Sequence, residues 1–225
     1  MQNNILRYKT AMPVRLIIFL ITSTLTACAA PLPESGKTHP ALKPFDDLMR
    51  QFVQENEIPG AALAVAKDGR LVYARGFGYA NVEKKTPVQS DSLFRIASIS
   101  KPITAVAALQ LIERGKLKLD DRVFKLLPHR AHLAKDGHVD PRLNDITIAH
   151  LMRHQGGWDR GQSIDPMFHS IEIATALGKA PPASSDDVIR FMKGWPLDFE
   201  PGSRYAYSNI GFLVLGLIVE HVSGR

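Results

Sequence analysis

The 225-residue chain contains a single cysteine, Cys28, so no internal disulfide can staple its fold. The N-terminal apolar run, Leu16-Ile17-Ile18-Phe19-Leu20-Ile21, is too short to cross a bilayer as a helix. Blocks of consecutive Lys and Arg are missing, which argues against a nucleic-acid-binding surface. The net charge of +6 is only mildly basic, and half of it belongs to Arg7, Lys9 and Arg15. There is no Gly-x-Ser-x-Gly segment, so the nucleophile elbow of an α/β-hydrolase is not expected. Gly76-Phe77-Gly78 lacks a third glycine at dinucleotide-binding spacing and reads as a turn. His150 and His154 are four apart, but position 151 is Leu. The glutamate of a metalloprotease helix is absent, and capping or packing roles are expected for both histidines. No internal repeat is evident. The 45% hydrophobic and 22% charged content is ordinary for a globular protein.

What is present begins at the N-terminus. Basic residues up to Arg15 precede the apolar run, small and polar residues follow it, and no Asp or Glu lies before Cys28. This is the tripartite pattern of an export signal. Leu25-Thr26-Ala27-Cys28 resembles a bacterial lipobox, which implies lipidation of Cys28. Alternatives are a plain signal cleaved near Ala27 or near Ala29-Ala30, or an uncleaved anchor. A lipid would tether the protein to a membrane without embedding it, facing the periplasm or the cell exterior. The expected organisation is a signal peptide over 1–27, a flexible Pro/Ser/Gly/Lys-containing tether over 28–39, and one partial catalytic domain over 40–225.

Within 40–225, Leu42, Phe45, Leu48, Met49, Phe52 and Val53 recur at helical spacing, and Pro59-Gly60 ends that helix. Two short apolar runs flank Lys67-Asp68-Gly69-Arg70; Asp-Gly between such runs predicts a tight hairpin with positive φ at both central residues. A helix followed by an antiparallel hairpin opens an α+β domain. A helix is predicted over 102–114 with Gly115 as its stop. Shorter helices are predicted over 117–127, 146–152 and 186–192, with long polar loops over 128–144 and 156–185. The segment 210–222 is apolar on nearly every face and follows Ser208-Asn209; it predicts a buried, N-capped helix.

Two patterns carry chemistry. Ser98-Ile99-Ser100-Lys101 stands at the start of the 102–114 helix. A serine hydroxyl is a weak nucleophile until a base takes its proton, and residues three apart share a helix face, so Lys101 can point at Ser98. The helix N-terminus also favours developing negative charge. Tyr207-Ser208-Asn209 immediately precedes the last helix. A phenol acts as a base only when adjacent cations lower its pKa, and Lys101 is a candidate for that cation. Asn209 offers a donor and an acceptor that can orient a substrate amide.

Phe94-Arg95-Ile96-Ala97-Ser98-Ile99-Ser100-Lys101-Pro102 resembles the first active-site motif of the serine β-lactamase-related family, in its class C and esterase branch. Tyr207-Ser208-Asn209, preceded by Pro201-Gly202, is similar to that branch's Tyr-x-Asn motif. Ile58-Pro59-Gly60, Gly76-Phe77-Gly78, Gly115-Lys116-Leu117 and His150-Leu151-Met152-Arg153-His154 follow in the same order. The resemblance runs from about residue 42 to the end. It implies an α+β, β-lactamase/transpeptidase-like fold with an antiparallel sheet flanked by helices and an all-helical subdomain. It further implies that Ser98 is acylated, that Lys101 and Tyr207 move protons as a coupled pair, and that Asn209 holds the substrate and Lys101. The substrate would be a small-molecule or peptidoglycan-like acyl compound: a β-lactam, a D-amino-acid peptide or a small ester. No cofactor or metal is called for. Whether Lys101 or Tyr207 is the base stays open, as does the oligomeric state.

The chain departs from the family at His154-Gln155-Gly156-Gly157, where His-Thr-Ser-Gly is common, and in the Trp158-Asp159-Arg160 that follows. The family's third motif, Lys-Thr-Gly or a variant, does not occur, so a fragment lacking the C-terminal strands is expected. A second reading follows from that: a lipid-anchored, non-catalytic remnant that binds cell-wall-type ligands.

Overall fold

The computed structural model describes residues 31–133 and 137–224, which fall into two compact units dividing between Phe94 and Arg95. The expected export signal and Cys28 lie outside the described residues.

The first unit is an α+β layer. Strand β1 (Glu34–Ser35) precedes helix α1 (Lys43–Glu55), followed by β2 (Gly60–Lys67), β3 (Arg70–Asn81) and β4 (Thr86–Pro87). All pairings are antiparallel: β3 lies between β1 and β2, and β4 joins the far end of β3. The β2–β3 turn takes φ of 51° at Asp68 and 72° at Gly69, as the Asp-Gly pair requires. Met49 and Val53 of α1 bury their side chains with Phe77 of β3, and Ile58, Ala61 and Leu63 pack around them. The apolar positions of α1 at helical spacing thus find the face of the sheet they need.

Two expectations are corrected in this unit. Glu34–Ser35, placed by its composition in a tether, pairs with Phe77 and Gly76. Side-chain chemistry holds it there: Arg75 donates to Glu34 at 2.9 Å and Arg50 at 2.5 Å. Gly76 and Gly78 do not form a turn but lie inside β3. A Cβ at Gly76 would stand 2.3 Å from the Val88 carbonyl oxygen, and one at Gly78, with φ of 74°, 2.3 Å from that of Pro59. Close backbone approach, not chain reversal, demands glycine here.

The second unit is helical. It contains α2 (Ser100–Glu113), α3 (Val123–Leu126), α4 (Ile148–Met152), α5 (Ser170–Ala176), α6 (Ser185–Met192) and α7 (Asn209–Ser223), with short 3₁₀ turns between them. Leu111, Ile148, Leu151, Trp158, Ile189 and Leu215 belong to its core. Helix α7 packs against α2 and α4, burying Ile210, Val214, Leu215 and Ile218. Ser208 caps α7 by accepting a hydrogen bond from Gly211 N at 3.1 Å, which satisfies one of the helix's free donors. Among the described residues no helix is long and apolar enough to cross a membrane. The 117–127 prediction shrinks to α3, because 118–121 turn to pair with the 147–149 segment. The loop expected over 156–185 holds α5 and a 3₁₀ turn at Pro166–Phe168 capped by Asp165.

The first unit holds a buried ionic cluster. Asp46 and Arg75 are each 4% exposed. Arg75 pairs with Asp46 at 2.6 Å, and the Tyr73 hydroxyl donates to the same carboxylate at 2.6 Å. Burial pushes the Asp46 carboxyl up, but Tyr73 and Arg75 together outweigh it and hold its pKa below the usual value. A depressed carboxylate pKa contributes stability above the unfolded value near 3.8, lost as pH falls through the folded value. Replacing Arg75 with Met strands a buried charge and is expected to cost about 3–5 kcal/mol in urea denaturation of the full chain. The acid-induced loss of stability becomes shallower in that variant; an unchanged denaturation midpoint would refute the assignment.

Candidate active site

Helices α2 and α7 start side by side, and their first turns carry the site. Ser98 sits in a 3₁₀ turn (Ala97–Ile99) that leads into α2. Just before it, Ala97 takes φ of 42°, a left-handed conformation unusual for a residue with a Cβ and costing about 1–3 kcal/mol. This bend sets the serine at the mouth of α2, and the Ser98 residue is exposed. Lys101, on the first turn of α2, donates to Ser98 Oγ at 3.2 Å and to Asn209 Oδ1 at 2.6 Å. The Tyr207 hydroxyl donates to Ser98 Oγ at 2.5 Å. Lys101 and Tyr207 therefore meet at the Ser98 hydroxyl, and Asn209 holds Lys101 from behind.

Backbone pairing brings Tyr207 in. Gly202 N donates to Gln155 O, Ala206 N to His154 O, and Asp198 N to Gly157 O. Gly202 adopts φ of 84°, and a Cβ there would come within 2.9 Å of His150 Nε2, which accounts for the Pro201-Gly202 pair. His150 and His154 take separate tasks. His150 completes a capping box with Thr147 at the start of α4. His154 accepts from Ser208 N at 3.1 Å and stacks on the Tyr207 ring, with centroids 4.6 Å apart. Burial, and then the charge of Lys101, push the His154 imidazole pKa down. Among the described residues no cluster of three or more His, Cys, Asp or Glu side chains is placed to hold a metal.

Tyr207 is the group whose chemistry the site changes most. Its phenol is held below its usual pKa, first by the hydrogen bond from Lys101, then by that with Ser98 and by the charges of Lys101 and Arg160, against an opposing effect of burial. The Lys101 Nζ lies 4.7 Å and the Arg160 guanidinium 4.8 Å from the Tyr207 ring centroid. The N-termini of α2 and α7 add positive dipole ends. This arrangement makes the phenol easier to ionise than an ordinary tyrosine and sets it within hydrogen-bond reach of the Ser98 hydroxyl.

The residues beside the triad were not legible as functional. Asp159, Arg160, Gly161, Asp165, Phe168 and Tyr207 line an open cavity of about 500 Å³. The loop bearing them is tied down: Arg204 donates to Asp159 at 2.8 Å, and Asp198 accepts from Asp159 N and from Ser163 Oγ. Asn209 Nδ2 donates to Asp165 at 2.6 Å. The sequence marked this stretch only as a departure from the family at Trp158-Asp159-Arg160, of which Asp159 and Arg160 line the cavity.

The family model described as "Beta-lactamase" matches residues 45–225. The chain belongs to the beta-lactamase family. It is 34% identical over 183 residues to "Esterase EstB" of Burkholderia gladioli, an alignment covering 80% of this chain and 45% of that protein. Its fold is similar to the octameric penicillin-binding protein homologue from Pyrococcus abyssi, with TM-score 0.63, 31% identity, and coverage of 81% of this chain and 39% of that one. It is also similar to EstCE1, a hydrolase with promiscuous acyltransferase activity, with TM-score 0.62, 34% identity, and coverage of 81% and 47%. The chain thus has the β-lactamase/transpeptidase-like fold and spans less than half the length of each of these relatives.

The electrostatics make a direct prediction. In the difference between the ultraviolet pH titrations of the wild type and Tyr207→Phe, one phenol should ionise below the ordinary tyrosine range. Lys101→Met should move that ionisation upward, since its largest cause is removed. An ordinary tyrosine titration in the wild type would remove Tyr207 as a candidate base.

Proposed function

We propose that this chain carries the acylation machinery of a serine hydrolase acting on esters or amides. The observation that supports it most is the hydroxyl of Ser98 held at once by Lys101 and Tyr207, beside an open cavity. In the acylation step, the Ser98 proton passes to the Tyr207–Lys101 pair as Oγ bonds to the substrate carbonyl carbon. The carbonyl oxygen takes the negative charge, with the Ser98 N–H and the positive ends of α2 and α7 as stabilising groups. Collapse breaks the bond to the leaving alcohol or amine, which receives the proton from the same pair. Water, deprotonated by that pair, then releases the acid and restores the serine. Tyr207 is the better placed base, because cations surround its phenol and its hydroxyl is 2.5 Å from Ser98 Oγ; Lys101 then supplies charge and relays the proton.

Among the acyl substrates, small esters are favoured, because a relative 34% identical over 183 residues carries the name esterase. Labelling with a fluorophosphonate should modify the full chain at Ser98, and Ser98→Ala should abolish it. Lys101→Ala and Tyr207→Phe should each slow acylation or ester turnover by about 10²–10⁴-fold. Near-normal rates in either variant would eliminate that residue from proton transfer, and a folded, unlabelled wild type would favour the ligand-binding remnant instead.

The same reading puts the protein outside the cytoplasm, tethered by a lipid on Cys28, on the strength of the N-terminal pattern. Metabolic labelling with a fatty-acid analogue in a bacterial host should tag the wild type and not Cys28→Ser. Equal labelling of the two would refute the anchor.

A further inference from the structure

The loop that follows Trp158 ends on a side chain that the chemistry above does not use. Asp165 is nearly buried, with its side chain 11% exposed. One carboxylate oxygen accepts from Met167 N at 3.3 Å, capping the 3₁₀ turn Pro166–Phe168. The other accepts from Asn209 Nδ2 at 2.6 Å and lies 3.5 Å from Arg160. Asn209 in turn accepts from Lys101 at 2.6 Å through Oδ1.

This chain of contacts has a consequence set by donor and acceptor types. A lysine ammonium only donates, and a carboxylate only accepts. An asparagine amide placed between them satisfies both in one orientation alone. Turned over, its oxygen would face the Asp165 carboxylate and its NH₂ would face Lys101, a clash of like partners at both ends. Without an acceptor at position 165, only Lys101 itself favours that orientation, and the Asn209 amide, no longer braced from its far end, is free to swing away and loosen the shortest hydrogen bond of Lys101. Its 3.2 Å contact to Ser98 Oγ then has no fixed anchor behind it.

Resting on the acyl-serine reading above, we propose that Asp165 is a positioning residue for acylation: it fixes the Asn209 amide so that Oδ1 holds Lys101 against Ser98. The loop is built to deliver it. Asp159 is bound by Arg204, and Asp159 N and Ser163 Oγ both donate to Asp198. This anchors the segment on both sides of Arg160. Asn209 is left with one N–H for substrate, so its larger duty is toward Lys101.

The test is the rate of fluorophosphonate acylation of Ser98 in the full chain, measured in a double-mutant cycle. Asp165→Ala is expected to slow acylation by about 10–100-fold, the scale on which small misplacements of reacting groups act. Asn209→Ala should slow it comparably, and Asp165→Ala should add almost nothing in the Asn209→Ala background, because the two act on one contact. A loop that had merely been loosened would give additive losses. Wild-type-like rates in Asp165→Ala, or additivity with Asn209→Ala, would each overturn the role of Asp165 while leaving the acyl-serine reading in place. A wild type that is no better labelled than Ser98→Ala would overturn both.

Discussion

The packing of α7 against α2 is the contact on which the site depends. Ser98 and Lys101 are local to one another, but Tyr207 and Asn209 lie 109 and 108 residues from their respective partners. The burial of Ile210, Val214, Leu215 and Ile218 helps bring the start of α7 to the start of α2. Nonpolar burial is non-directional, so it supplies proximity without aim. Aim comes from polar detail at the two helix ends: the bend at Ala97, the Ser208 cap, and the backbone bonds from 198–206 to 154–157.

That division explains what could be read from the chain beforehand. The Ser98–Lys101 contact was legible because three-residue spacing on a helix face is a local geometric fact. The Asp68-Gly69 turn and the Gly115 stop were legible for the same reason, their backbone conformations being demanded by single residues. Tyr207 and Asn209 were recognised by motif, since no local pattern links them to residues a hundred positions earlier. Glu34 could not be placed, because its strand exists through ion pairs with Arg50 and Arg75, contacts that leave no periodicity. Gly76 and Gly78 misled for a related reason: glycine in a sequence looks alike whether it turns the chain or admits another backbone.

The residues missed around the site share one property. His154, Arg160 and Asp165 act on Tyr207 and Asn209 from a stretch whose composition reads as loop. A loop becomes a precise support only when its own polar groups are satisfied. Here Asp159, Ser163, Asp198 and Arg204 satisfy one another. Such closed networks are costly to leave half-made, so the loop and the helix start it supports are expected to order together.

The stack of His154 on Tyr207 carries one more implication. An imidazole in ordinary surroundings gains charge as conditions turn mildly acidic. Half-buried against the phenol and near the charge of Lys101, this ring takes up a proton less readily than a free histidine. The aromatic floor of the cleft is thereby biased toward its neutral form, and proton traffic at Ser98 falls to the amine and the phenol.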